Sequence, residues 1–159
     1  MRAPEEAEKD LRAVQPCRGA DPRWIQFYES SFIEGWHMNK AYYFPMSGLY
    51  LQAFTDCLVQ DWRGYVDLFA CLLPGWAQQD LCFTNVRTLR GALVSGWWNH
   101  GEFEVGITPG TAETIEVRVS RPEVLVKVHG HAAGPSAFEG GQVVELTFNG
   151  TSPITLMSD

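Results

Sequence analysis

Basic charge is scarce in this chain, and so are paired cysteines and long apolar runs. Twelve Lys and Arg against nineteen Asp and Glu leave a net charge of −7 over 159 residues. A nucleic-acid binder needs a basic stripe to neutralise phosphates, so the balance argues against that class. No stretch approaches the roughly 18 consecutive apolar residues of a membrane-spanning helix. Residues 1–30 are polar and acidic, without the apolar core of a secretory leader. The four cysteines, Cys17, Cys57, Cys71 and Cys82, show no C-x-x-C spacing and no paired histidines, so structural zinc is not expected. Cys57 and Cys71 lie within apolar runs and read as small buried hydrophobes, with a disulfide left open. There is no internal repeat, no Gly-rich phosphate loop, no G-x-S-x-G elbow and no Ser/His/Asp pattern, and no cofactor is expected.

What is present is enough apolar material for one domain: 45% hydrophobic against 19% charged residues marks a globular chain. Its organising stretch runs from Ser47 to Trp76. Tyr50, Leu51, Phe54, Cys57, Leu58 and Trp62 recur at the three-and-four spacing of an amphipathic helix. Ser47 stands where an oxygen caps the first N–H groups, and Arg63-Gly64 supplies a basic last turn and a C-cap glycine. Tyr65 to Leu73 then reads as a strand, with Val66, Leu68, Ala70 and Leu72 on one face and Tyr65, Asp67, Phe69 and Cys71 on the other. Gly64 is thus the seam between a helical part and a β part. Strands on its amino-terminal side would end this reading.

After Pro74-Gly75 the chain reads as β. Residues 77–90 connect, with Phe83 and Leu89 as core contributors. A hairpin turning at His100-Gly101 sets Trp98 opposite Phe103, Gly96 opposite Val105 and Val94 opposite Ile107, with Trp97 and Glu104 on the other face. Alternation predicts strands at Ile115–Val119, Val124–Val128 and Val144–Phe148, with a Gly/Ala/Ser loop from Gly130 to Gly141. Asn149-Gly150, which opens the sequon Asn149-Gly150-Thr151, reads as another hairpin turn, and Ile154–Met157 as an edge strand. The expected fold class is α+β: a helical segment followed by an antiparallel β-sandwich. The expected divisions are a loosely held lead-in at 1–22, with a short exposed helix near Glu5–Val14, a helical segment at 23–63 and the sandwich at 64–159.

Residues 23–46 hold the densest aromatic run, Trp24 to Phe44, interleaved with Glu29, Glu34, His37 and Lys40. Rings of this kind pack a core, or they offer flat apolar faces to a sugar with carboxylates nearby for its hydroxyls. His129 and His131 share one strand face at period two without a third metal ligand nearby.

Asp56, Leu58, Val59, Gln60, Asp61, Gly64, Val66, Leu68, Phe69, Pro74 and Trp76, followed by Leu89, Arg90, Gly91 and Leu93, carry a family resemblance. Residues 42–107 resemble the last barrel helix of the α-L-fucosidases of glycoside hydrolase family 95 running into their C-terminal β-domain. The resemblance implies a severed end of a six-hairpin (α/α)6 barrel braced by the sandwich, a carbohydrate substrate and an upstream catalytic barrel as partner. It implies two carboxylates, an acid for the leaving oxygen and a base for water. Pro45 stands where the family carries an acidic residue. Either Glu34 or Glu29 supplies the carboxylate, or the chain belongs to another branch of these hydrolases, or the site is dead. Trp36, His37, Tyr42 and Tyr43 would line the sugar site. A complete barrel needs far more helices than this chain has room for, so the chain alone is expected to be inactive. The alternative is a non-catalytic β-sandwich that binds carbohydrate or a protein partner.

Overall fold

The structure, a computed structural model, describes residues 4–13 and 44–159. Three helices are described, α1 (Pro4–Ala13), α2 (Phe44–Leu58) and α3 (Pro74–Ala77). The strands are β1 (Val59–Gln60), β2 (Val66–Leu68), β3 (Leu81–Arg87), β4 (Leu93–Asn99), β5 (Glu102–Thr108), β6 (Thr114–Val119), β7 (Leu125–His129), β8 (His131–Ala133), β9 (Ala137–Glu139), β10 (Val143–Phe148) and β11 (Ile154–Ser158). They form two sheets, one ordered β1-β2-β6-β10-β8 and the other β3-β4-β5-β11-β7-β9. Every pairing is antiparallel except β2 with β6. The fold is α+β with a β-sandwich.

One core joins the two layers. Leu68, Val117, Val119 and Leu146 from the first sheet meet Val94, Val105, Ile107, Val126, Ile154 and Leu156 from the second, all fully buried. These are the inward positions of alternating strands, which is why β-branched residues dominate them. The β4–β5 hairpin has the expected register, Trp98 opposite Phe103, Gly96 opposite Val105 and Val94 opposite Ile107. His100 (φ 47°) and Gly101 (φ 106°) both take positive φ, as a two-residue hairpin turn requires. Gly96 carries no side chain for a steric reason. A Cβ there would lie 2.7 Å from the Glu104 carbonyl oxygen.

The seam is not at Gly64. Helix α2 stops at Leu58, and Val59 and Gln60 pair with Leu68 and Asp67. The last helical carbonyls find partners elsewhere: Leu58 O accepts from Phe69 N at 2.6 Å and Cys57 O from Cys71 N at 3.0 Å. These bonds hold the chain extended where helical periodicity predicted one more turn. Gly64 (φ 91°) lies in the turn between β1 and β2 instead of capping a helix, and Trp62 is 58% exposed. Core-forming sequence therefore reaches back to Val59, before the expected sandwich boundary at residue 64. Helix α2 also starts earlier than expected, which puts Pro45 and Ser47 inside its first turn and not ahead of it. A proline is tolerated there because first-turn N–H groups have no intrahelical acceptor.

The expected strand from Tyr65 to Leu73 ends at Leu68. Phe69 takes left-handed backbone (φ 55°), which swings its ring inward and breaks the alternation. The ring lies 5.2 Å from the Trp98 and Phe103 rings and 6.3 Å from Phe83. Cys71 and Leu73 then turn to a second small cluster with Cys57, which Ala7 and Leu11 of α1 and Trp76 cover. Helix α1 is fastened there by Gly75 N donating to Glu8 Oε2 at 3.0 Å.

Four further expectations change. The segment 77–90 contains β3, and Leu89 is 81% exposed and outside the core, although Phe83 is buried. The Gly130–Gly141 loop contains β8 and β9. The turn at Asn149-Gly150 carries the chain from one sheet to the other, since β10 and β11 do not pair. Strand β11 is not an edge: Leu156 faces Val105 on one side and Val128 on the other.

Candidate functional site

At one end of the sandwich, turns from the two sheets approach one another. The β1–β2 turn contributes Asp61 to Tyr65, and the β3–β4 turn contributes Thr88 to Arg90. The second turn is closed by Thr88 N donating to Ala92 O and Gly91 N to Thr88 O, both at 2.9 Å. Gly91 takes φ 83°, which a side chain would resist. The carboxylate of Asp61 accepts from Leu89 N and so ties the two sheets together across the gap.

Between the turns lies a groove of about 210 Å³. Its floor is Val66, Thr88 and Ile115, all buried. Its walls carry two rings, exposed Trp62 and half-buried Tyr65, with Arg90 and Glu116 exposed beside them. The volume lies below the roughly 300–1,000 Å³ of drug-sized pockets, so the groove suits one small ring and not an extended ligand.

Tyr65 is held by charge. Arg63 hydrogen-bonds its phenol, and Arg118 Nη1 donates to Tyr65 Oη at 3.5 Å. The Arg63 bond first and the Arg118 bond second lower the phenol below its ordinary pKa. Behind Tyr65, Asp67 is 1% exposed; its Oδ1 accepts from Ser120 Oγ at 2.6 Å, and its Oδ2 lies 3.9 Å from Arg118 Nη1. The parallel register sets Asp67 beside Arg118 and Leu68 beside Val119, so the pair follows from the β2–β6 ladder. The Ser120 hydroxyl satisfies Oδ1, while Oδ2 makes no hydrogen bond and meets only the charge of the Arg118 guanidinium. This outer-face row fixes the wall on which Tyr65 stands.

Aromatic faces, carboxylates and a guanidinium surround a shallow apolar floor, so the groove offers flat apolar surface beside hydrogen-bond acceptors and donors. The carboxyl that burial raises is Asp56, on α2; desolvation leads, Asp61's charge adds to it, and the Gln52 hydrogen bond at 2.6 Å opposes it.

Glu29, Glu34, Trp36, His37, Tyr42 and Tyr43, the sugar-site residues expected from sequence, lie outside the described residues, as does most of the aromatic run. His129 and His131 do not share a face. Gly130 (φ 82°) breaks the strand between them and sends His129 to one sheet and His131 to the other. Among the described residues no group of three or more His, Cys, Asp or Glu is placed to hold a metal ion, and no helix is long and apolar enough to cross a membrane. The groove residues were hidden in sequence because Trp62 fits a helical stripe and Arg63-Gly64 a helix cap. The usable signal was turn chemistry: D-W-R-G and L-R-G each stand between residues that pair in strands. No family model matches the chain, and no curated protein sequence matches it either.

Proposed function

We propose that this protein is a non-catalytic carbohydrate-binding β-sandwich that takes a single sugar residue in the groove between the β1–β2 and β3–β4 turns. The observation that carries this reading is the pair of rings, Trp62 and Tyr65, set beside Glu116 and Arg90 over an apolar floor. Trp62 is 58% exposed beside half-buried Tyr65, so an indole face stands open for the apolar face of a sugar ring. A one-sugar contact of this size binds weakly, with Kd on the order of 1 mM. Titration of the chain with methyl glycosides of common monosaccharides, methyl α-L-fucoside among them, followed by Trp fluorescence and NMR, tests it. Saturable binding that weakens about tenfold or more in Trp62→Ala is the expected result. No saturable binding to any glycoside, or binding unchanged by Trp62→Ala, would overturn it.

A second reading keeps the family resemblance: the sandwich braces the (α/α)6 barrel of an α-L-fucosidase-like hydrolase. One observation favours it, namely that Leu49 and Leu51 of α2 are 64% and 66% exposed on the helix leading into the sandwich. Hydrolysis of an aryl α-L-fucoside, measured for the chain alone and with a supplied barrel, separates the two. Activity that needs the barrel and is lost in Glu34→Gln supports bracing, while none in either sample removes it.

A further inference from the structure

Cys57 ends α2 and Cys71 lies in the buried loop after β2, and the fold brings them together. Cys71 N donates to Cys57 O at 3.0 Å. An N···O distance of 3.0 Å, with the covalent lengths on either side, holds the two Cα atoms within roughly 7 Å, at the upper end of the about 4.4–6.8 Å that a disulfide spans. The side chains share one buried cluster, and each thiol shifts the other's titration. Both residues are buried in one small cluster with Leu73, under Ala7, Leu11 and Trp76. Cys82, in contrast, is exposed on β3.

We propose that Cys57 and Cys71 are a disulfide-forming pair that staples the end of α2 to the sandwich when the chain folds in an oxidising environment. The oxidant is a disulfide of the glutathione class. The Cys71 thiolate attacks one glutathione sulfur, the glutathione S–S bond breaks and the first glutathione leaves. The Cys57 thiolate then attacks Sγ of Cys71 and displaces the second. One Sγ–Sγ bond forms, two cysteine sulfurs are oxidised, two glutathione sulfurs are reduced, and the two thiol protons end on the released glutathiones. Burial raises the Cys71 thiol too, with Cys57 opposing part of that shift, so of the two sulfurs Cys71 is the first to attack. Burial pushes the Cys57 thiol up to about 12, with the neighbouring Cys71 adding to the shift. Thiolate is therefore scarce in the finished fold, and the bond is set while α1 is not yet seated over the pair.

The test uses the full chain and a Cys17→Ser/Cys82→Ser variant, each refolded from the reduced state in a mixture of reduced and oxidised glutathione. Free thiols are then alkylated and the digest read by mass spectrometry. An intramolecular Cys57–Cys71 peptide should dominate in both, with Cys82 alkylated in the full chain. The cross-linked ring is short, so Tm should rise by about 5–10 °C over the same sample in dithiothreitol. A further Cys71→Ala change should remove that response to dithiothreitol. Complete alkylation of Cys57 and Cys71, a dominant cross-link to Cys17 or Cys82 in the full chain, or a bond formed only between chains would overturn the proposal.

Discussion

The left-handed backbone at Phe69 is what turns the chain from sheet to core, and it yields a prediction of sign as well as size. Phe69 is 1% exposed and its ring contacts three other rings. Truncation to Ala removes that packing and leaves a void among stiff aromatics that cannot collapse to fill it, so Phe69→Ala should cost about 3–5 kcal/mol. Against a total stability of about 5–15 kcal/mol that is a large loss, and the midpoint of unfolding should move accordingly. Phe69→Gly loses the same ring but not the same backbone energy. An L-residue pays roughly 1–2 kcal/mol to hold φ 55°, a cost that Ala keeps and Gly sheds, whereas Gly in ordinary backbone is worse than Ala by roughly 0.5–1 kcal/mol. The balance leaves Phe69→Gly more stable than Phe69→Ala by about 0.5–1 kcal/mol. One residue earlier, in β2, Leu68 is fully buried with ordinary strand backbone. There the order should reverse, with Leu68→Gly below Leu68→Ala. Urea unfolding of the four variants at equal slope reads the comparison. The same order at both positions, or a Phe69→Ala cost under about 1 kcal/mol, would show that Phe69 does not occupy this pocket in this conformation.

Two further perturbations probe other parts of the fold. Asp56→Asn tests the raised carboxyl on α2. A carboxyl whose folded pKa lies above its unfolded value contributes stability that is complete below the ordinary carboxylate range and is lost as pH rises through the raised value. The variant should therefore gain on the wild type between about pH 3 and neutrality, by a small margin because Asp56 is only partly buried; thermal melts across that range check it, and a gap that shrinks with rising pH would refute it. Gly140→Ala tests the β9 exit, where a Cβ would lie 1.8 Å from the Arg121 carbonyl oxygen, a backbone atom unable to step aside. The cost should be about 1–3 kcal/mol, and an unchanged Tm would show the approach is looser.

Much of the sandwich is legible in the sequence because its strands are half-buried and alternate. Ile115, Val117 and Val119, and likewise Leu146 and Phe148, announce their faces at period two, and His100-Gly101 sets a hairpin register to the residue. Strands β3, β8 and β9 are not legible for the same reason inverted. Leu81–Arg87 buries one residue fully, Phe83, and its pairing with β4 is broken between Phe83 and Val86, so no period accumulates. His131–Ala133 buries none, and Ala137–Glu139 buries Phe138 alone. Such segments are strands because a neighbour offers a ladder, which is not information a short window contains.

The misplaced seam has a different origin, and it is the one that hid the groove. Leu58, Trp62 and the Arg63-Gly64 pair satisfy every local rule for the end of a helix, and local rules decide only when no long-range partner competes. Here Phe69 N and Cys71 N compete, and they take the Leu58 and Cys57 carbonyls across the chain. That exchange is possible because Phe69 reverses the backbone at a non-glycine residue, a conformation no residue preference would suggest. Its consequence runs directly to the site. With the helix ended at Leu58, the chain from Asp61 to Tyr65 becomes a turn, and a turn can present Trp62 outward and reach Leu89 with Asp61, where a continuing helix would have carried Trp62 along the same half-buried stripe as Phe54 and Leu58. The groove therefore exists because two backbone hydrogen bonds outcompete one helical turn, and Phe69 is the residue on which that competition is decided.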